Sequence, residues 1–219
     1  MKNNGVFVVL DWFHYNDSED SFPVAVTTSF ETAKEKARQR AEEAKQEFIA
    51  ENYSEKRLNI EEIDDDNFAP DYALGVFDEL DGLLEQIAVF QMPVDLGVKT
   101  VDFASINDQY SKERKNFKMK NTETVYVVLD CFDYDETDDA FPVAVTGSLE
   151  SAKKQAQQRA KEAKQEIIDE FNDDRYSDDN LSIKEVDEDG PFYPKFALGV
   201  YNDEGLMEKV EVFEQPLNK

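Results

Sequence analysis

Asp133, Asp135 and Thr137 place oxygen donors at alternate positions, the spacing with which a calcium-binding loop begins. An EF-hand loop also needs Gly at its sixth position and a bidentate Glu at its twelfth. Asp138 and Ala144 stand there instead, and the matching stretch of the first half offers only His14, Asn16 and Ser18. The spacing therefore predicts loose calcium ligation at most, with no dedicated metal site. Zinc needs a His/Cys cluster, and the chain has one His and one Cys. Nucleophilic or phosphate chemistry would show a G-x-S-x-G, a P-loop or a G-x-G-x-x-G, and none occurs. Carboxylate pairs could serve glycoside hydrolysis. With 50 Asp and Glu in 219 residues, however, two close carboxylates are expected by chance. The reading is of a protein that is not an enzyme and takes no cofactor.

The elements that carry these residues are written twice. "VFVVLDWFHYNDSEDSFPVAVTTSFETAKEKARQRAEEAKQEF" starts at Val6, and "VYVVLDCFDYDETDDAFPVAVTGSLESAKKQAQQRAKEAKQEI" starts at Val125. The match resumes at "YALGVF" (Tyr72) and "FALGVY" (Phe196) and ends at "VFQMP" and "VFEQP". A period of about 120 residues is too long for a solenoid and fits two globular units. The expected division is a first repeat domain over 1–96, a basic linker over 97–122 and a second repeat domain over 123–219.

Each repeat opens with an apolar strand, passes through an acidic loop, and re-enters a strand at Pro23 or Pro142, where a missing donor is tolerated. Ser29 and Ser148 are the expected N-caps, with Glu31 and Glu150 in the first turn. Ala33, Ala37, Ala41, Ala44 and Phe48 recur on one helical face, as do Ala152, Ala156, Ala160, Ala163 and Ile167. A strand follows at Arg57–Ile63. A hairpin then turns at Asp81-Gly82, or at Asn202–Gly205 in the second copy. The fold expected is thus α+β: a tandem duplication, each unit a ββαβββ antiparallel sheet with one helix packed on a face.

Charge sets the class of partner. The formal net charge is −26. The first helix is nearly balanced, with five bases and six acids between Glu31 and Glu51. The excess lies in strands and loops: eleven acids and no base from Leu58 to Val98, and eight acids and no base from Asn121 to Ala152. The linker stretch "SKERKNFKMK" reverses the sign and reads as a solvated tether. Such a field repels nucleic acid and anionic membrane and favours a basic protein surface. No apolar run is long enough for a membrane helix, and the N-terminus lacks a signal-peptide pattern. A cytoplasmic protein is expected. Cys131 stands alone, opposite Trp12 in the other copy, so no intrachain disulfide forms.

The candidate site is therefore a surface. In the first copy it comprises Tyr15, Asp17, Glu19, Asp20, Asp64, Asp65 and Asp66. In the second it comprises Asp133, Tyr134, Asp135, Glu136, Asp138, Asp139, Asp187, Glu188 and Asp189. Between the copies Asp and Glu interchange while the charge stays. An aromatic beside acids suits an Arg-rich partner. In charge and size the chain resembles the nucleic-acid-mimic inhibitors carried by phages and mobile elements, a likeness of composition without a shared motif. It implies an acidic decoy of the anti-restriction or anti-CRISPR type. Two alternatives stay open: an immunity protein that neutralises a basic nuclease toxin, and an acidic scaffold or regulatory module.

Overall fold

The computed structural model describes residues 5–13, 20–63, 70–95, 124–134, 137–171, 176–186, 194–203 and 205–218. The first repeat forms β1 (Gly5–Phe13), β2 (Asp20–Thr27), α1 (Phe30–Ala50), β3 (Leu58–Glu62), β4 (Tyr72–Asp78) and β5 (Gly82–Asp95). The second forms β6 (Thr124–Tyr134), β7 (Thr137–Thr146), α2 (Leu149–Phe171), β8 (Ser182–Glu185), β9 (Phe196–Tyr201) and β10 (Leu206–Asn218).

Local chemistry explains most of these boundaries. The Ser29 and Ser148 hydroxyls accept from the backbone of Thr32 (3.4 Å) and Ser151 (3.2 Å), satisfying orphan donors at the helix starts. Helix α1 ends in a Schellman motif. Asn52 takes φ 78°, its N–H and that of Tyr53 bond the Ile49 and Phe48 carbonyls, and the Tyr53 ring packs edge-on to Phe48. All five residues of each predicted small-residue face are buried. Pro23 and Pro142 are inside strands rather than at their starts. In each case the register slips by one residue beside the proline, between Val9 and Leu10 and between Val128 and Leu129. A bulge tolerates the missing N–H, so the strand continues upstream to Asp20 or Thr137.

The recurring "ALGV" has a steric cause. A Cβ on Gly75 would sit 2.4 Å from the Phe77 ring and 2.8 Å from Leu83; on Gly199 it would sit 2.5 Å from Tyr201 and 2.7 Å from Leu206. The aromatic two residues on folds over the bare backbone. Gly75→Ala is expected to cost about 1–3 kcal/mol through overpacking. The denaturation midpoint, read by circular dichroism, checks this.

The predicted pair of antiparallel ββαβββ units is overturned at the level of the sheet. The strands form one ten-stranded sheet that is mostly β architecture, with a closed six-stranded barrel and two helices outside it. The ring runs β1, β2, β10, β6, β7, β5 and back to β1. Two of its joints are parallel and cross between repeats: Leu217 and Asn218 of β10 lie beside Val26 and Thr27, and Val94 and Asp95 of β5 lie beside Val145 and Thr146. The cause is strand length. β5 and β10 run for 14 and 13 residues, past the end of their own neighbours β4 and β9, so their free ends need a partner. Each finds the second strand of the other repeat. Gln215 adds a side-chain bond to the Pro23 carbonyl (2.6 Å), and Trp12 Nε1 donates to the Ala140 carbonyl (2.8 Å), both between repeats.

Three apolar layers result. Val6, Val8, Leu10 and Trp12 of β1 meet Val125, Val127 and Leu129 of β6 inside the barrel, with Phe90 and Phe213. Outside, α1 packs on Val9, Leu74, Val76, Ile87 and Val89, and α2 packs on Val128, Leu198, Val200, Val210 and Val212. Trp12 and Ala88 of the first repeat stand where the second has Cys131 and Glu211, so the large side chain moves from the β1 position to the last strand of the repeat.

Candidate functional site

Strand direction places the acidic hairpins. β2 runs antiparallel to β1, β10 parallel to β2, β6 antiparallel to β10, β7 antiparallel to β6, and β5 parallel to β7. β1 and β6 therefore point the same way, and the repeats are related by a pseudo-two-fold along the barrel axis. The ends of the two hairpins, Phe13 beside Asp20 and Tyr134 beside Thr137, emerge at one end of the barrel on opposite sides of the ring. The β4–β5 turn is at that end too. There Asp78 accepts from the N–H groups of Leu80 (2.9 Å) and Asp81 (3.2 Å) and pairs with Arg57, leaving Leu80 exposed at the tip. The side-chain bond from Arg57 comes first in holding Asp78 below the ordinary carboxylate range.

The predicted surface residues divide accordingly. Asp20 begins β2; Asp133 and Tyr134 end β6; Asp138 and Asp139 lie in β7, opposite Asp133 and Phe132. These backbones belong to the shared barrel end. Tyr15, Asp17, Glu19, Asp135 and Glu136 lie outside the described residues, between those strand ends. Asp64, Asp65, Asp66, Asp187, Glu188 and Asp189 also lie outside the described residues. Their flanking strands, β3 into β4 and β8 into β9, turn around on the side away from the hairpin ends. The structure thus groups the attachment points of the hairpin acids and separates them from those of the second acidic set. The whole of the basic linker, 97–122, is likewise outside the described residues.

Sequence reasoning missed a different group of acids, buried beneath the helices at the root of each hairpin. Asp11 on β1 and Glu85 on β5 are 1 % and 0 % exposed. Their strands pair Asp11 with Ile87 and Phe13 with Glu85, so the two carboxyls are diagonal neighbours on the helix-facing side. Arg40 of α1 reaches down to both. Nε bonds Asp11, Nη2 is 3.0 Å from Glu85, and Nη1 meets the exposed Glu47 at 3.0 Å. The second repeat builds the same cluster. Arg159 bonds Asp130, lies 3.1 Å from Glu208 and 2.7 Å from Glu166, with Asp130 0 % and Glu208 4 % exposed.

The electrostatics follow from burial. Removal from water pushes Glu85 up to about 9, with the nearby Asp11 charge adding to it. Burial does the same to Glu208, also to about 9, helped by its hydrogen bond to Asp130. Asp11 and Asp130 are raised as well, chiefly by burial, while the arginines pull them back. Burial lowers Arg40 and Arg159, but their carboxylate neighbours outweigh it and keep both cationic. A signal for this cluster was present but not distinctive: Asp11/Asp130, Glu85/Glu208, Arg40/Arg159 and Glu47/Glu166 are identical in the two repeats, as are the loop pairs Asp20/Asp139, Asp64/Asp187 and Asp66/Asp189.

Inside the barrel, Glu211 takes Lys209 at 2.8 Å and Cys131 Sγ at 3.6 Å. Burial, then the Glu211 charge, pushes the Cys131 thiol well up, which suppresses the thiolate a nucleophile requires. Among the described residues, no group of three or more His, Cys, Asp or Glu is arranged to hold a metal ion. No helix among them is long and apolar enough to cross a membrane. Comparison with protein-family models, with curated proteins and with solved structures finds no match for this chain.

Proposed function

We propose that this chain is a non-enzymatic, cytoplasmic acidic binding protein that occupies the nucleic-acid cleft of a basic protein. The observation that carries this reading is the strand direction around the barrel, which sends both acid-rich hairpins from one end on opposite sides of the ring. With a net charge of −26, such an end brings two acid-rich segments together where a nucleic-acid-binding protein expects phosphates. Complementary fields of this kind speed association and make it salt-sensitive. Two similar arms on one rigid barrel also raise the effective concentration of the second contact once the first is made.

Affinity capture from a lysate at low and high salt, with duplex DNA as competitor, tests the reading. A basic nuclease or other nucleic-acid enzyme that DNA displaces and high salt releases supports it. A single partner that survives both treatments would instead fit an immunity protein, and a diffuse set of basic proteins would fit a scaffold. Joint replacement of Asp133, Asp135, Asp138 and Asp139 by Asn or Ser is expected to weaken capture and flatten its salt dependence. A single exposed ion pair contributes only about 0–1 kcal/mol, so the four are changed together. Unchanged binding of that variant at physiological salt removes this hairpin from the contact.

A further inference from the structure

Each helix-covered cluster has one guanidinium for two fully buried carboxyl groups. If both carboxyls were ionised, each would hold an uncompensated negative charge in a low-dielectric layer, which costs several kcal/mol. Among the described residues no further cation is paired with these carboxyls. Beside Asp11 and Glu85 are Arg40 and Glu47 from α1, and Val76 of β4, which pairs with Glu85. Facing Asp130 and Glu208 are Arg159 and Glu166 from α2, and Leu198 and Val200 from β9. The other charge beside each cluster among the described residues, Glu47 or Glu166, is negative.

Hydrogen bonding gives the second observation. Asp11 Oδ1, Glu85 Oε2 and Asp130 Oδ1 are buried without a hydrogen-bond partner, and Glu85 Oε1 has only its ion pair with Arg40 at 3.0 Å. Buried carboxyl oxygens left unbonded are costly. A hydrogen on one carboxyl, directed at the free oxygen of the other, removes both problems at once: the charge count falls to balance and the orphaned oxygen gains a donor. Like charges held this close cannot both ionise. The arrangement occurs twice, on equivalent residues, in two independently packed layers.

We propose that each repeat binds one structural proton, shared between Asp11 and Glu85 in the first and between Asp130 and Glu208 in the second. The proton is a built-in ligand that lets Arg40 and Arg159 dock their helices on the barrel. It also fixes the root of each acidic hairpin, since Phe13 pairs with Glu85 and Phe132 with Glu208. The inference is independent of what the hairpins bind.

Infrared spectroscopy of the intact chain at pH 7 tests it. A protonated carboxylic acid has a carbonyl stretch separated from the carboxylate and amide bands. The expected spectrum contains that band at an intensity of about two groups per chain, because exposed acids are ionised at this pH. Glu85→Gln with Glu208→Gln keeps a hydrogen donor in place and should remove the band while the chain stays folded. Absence of the band in the unaltered protein overturns the proposal, whatever the variant does. So does a band that persists unchanged in a folded double variant. Loss of the band in favour of stabilisation by millimolar calcium or sodium would also overturn it, by showing a metal ion in the proton's place.

Discussion

Arg40→Ala should be among the most destabilising single substitutions in this protein, costing about 3–5 kcal/mol, with Arg159→Ala alike. Among the described residues the arginine is the one cation paired with Asp11 and Glu85, which are 1 % and 0 % exposed. Removing it leaves the ionised member of the pair buried without a countercharge, so the loss is the penalty of an orphaned carboxylate rather than the worth of a salt bridge. A second variant separates these. Arg40→Met combined with Asp11→Leu and Glu85→Leu replaces the whole cluster with apolar volume. It should recover most of the loss, because well-packed apolar substitutes for buried ion clusters are often neutral or stabilising. Urea denaturation followed by circular dichroism reads both. A loss below about 1 kcal/mol for Arg40→Ala, the scale of an exposed pair, would mean the cluster is open to water.

Stability should fall as the pH is raised from about 5 to about 9, a direction opposite to that set by an ordinary salt-bridged acid. Glu85 and Glu208 are raised from 4.5 to about 9. Between those values the folded chain holds protons that the unfolded chain has released. Their stabilising contribution is complete below the unfolded value and is lost as the pH passes through the folded one. The ceiling is about 1.4 kcal/mol per pH unit for each proton. Glu166 has the opposite sign: its hydrogen bond to Arg159 lowers it, so its contribution is lost in acid. Salt screens repulsion between exposed charges and scarcely touches a buried pair. Denaturation midpoints at pH 6 and pH 8.5 in 0.5 M salt should therefore still differ. The Glu85→Gln, Glu208→Gln variant should show a smaller difference, and an identical one would assign the whole slope to the surface.

The two clusters show how far a repeat read within one chain can reach. Asp11/Asp130, Glu85/Glu208 and Arg40/Arg159 are identical in the two repeats, as one shared geometry requires, but so are loop pairs such as Asp20/Asp139 and Asp64/Asp187, so identity between copies does not by itself single the clusters out. Weighing acids by density favours the hairpins instead, because a buried acid is as isolated in sequence as any other. Asp11 sits in "VVLDWF" and looks like the edge of an apolar strand until the helix is laid over it.

Local chemistry written in the sequence determined the elements: the alanine face of each helix, the serine caps, the hairpin glycines and the twofold repetition. Each depends on residues within a turn or two of one another, so periodicity and residue type are sufficient. The closure of the barrel was decided by the tertiary structure. Its two parallel joints, Val94 beside Val145 and Leu217 beside Val26, link strand ends far apart in the chain, and a parallel pairing leaves no turn signature between its partners. The same closure sends both hairpins out of one end. It also decides which few of the 50 acids are removed from water, since burial is a property of what packs overhead and not of the residue or its neighbours in sequence.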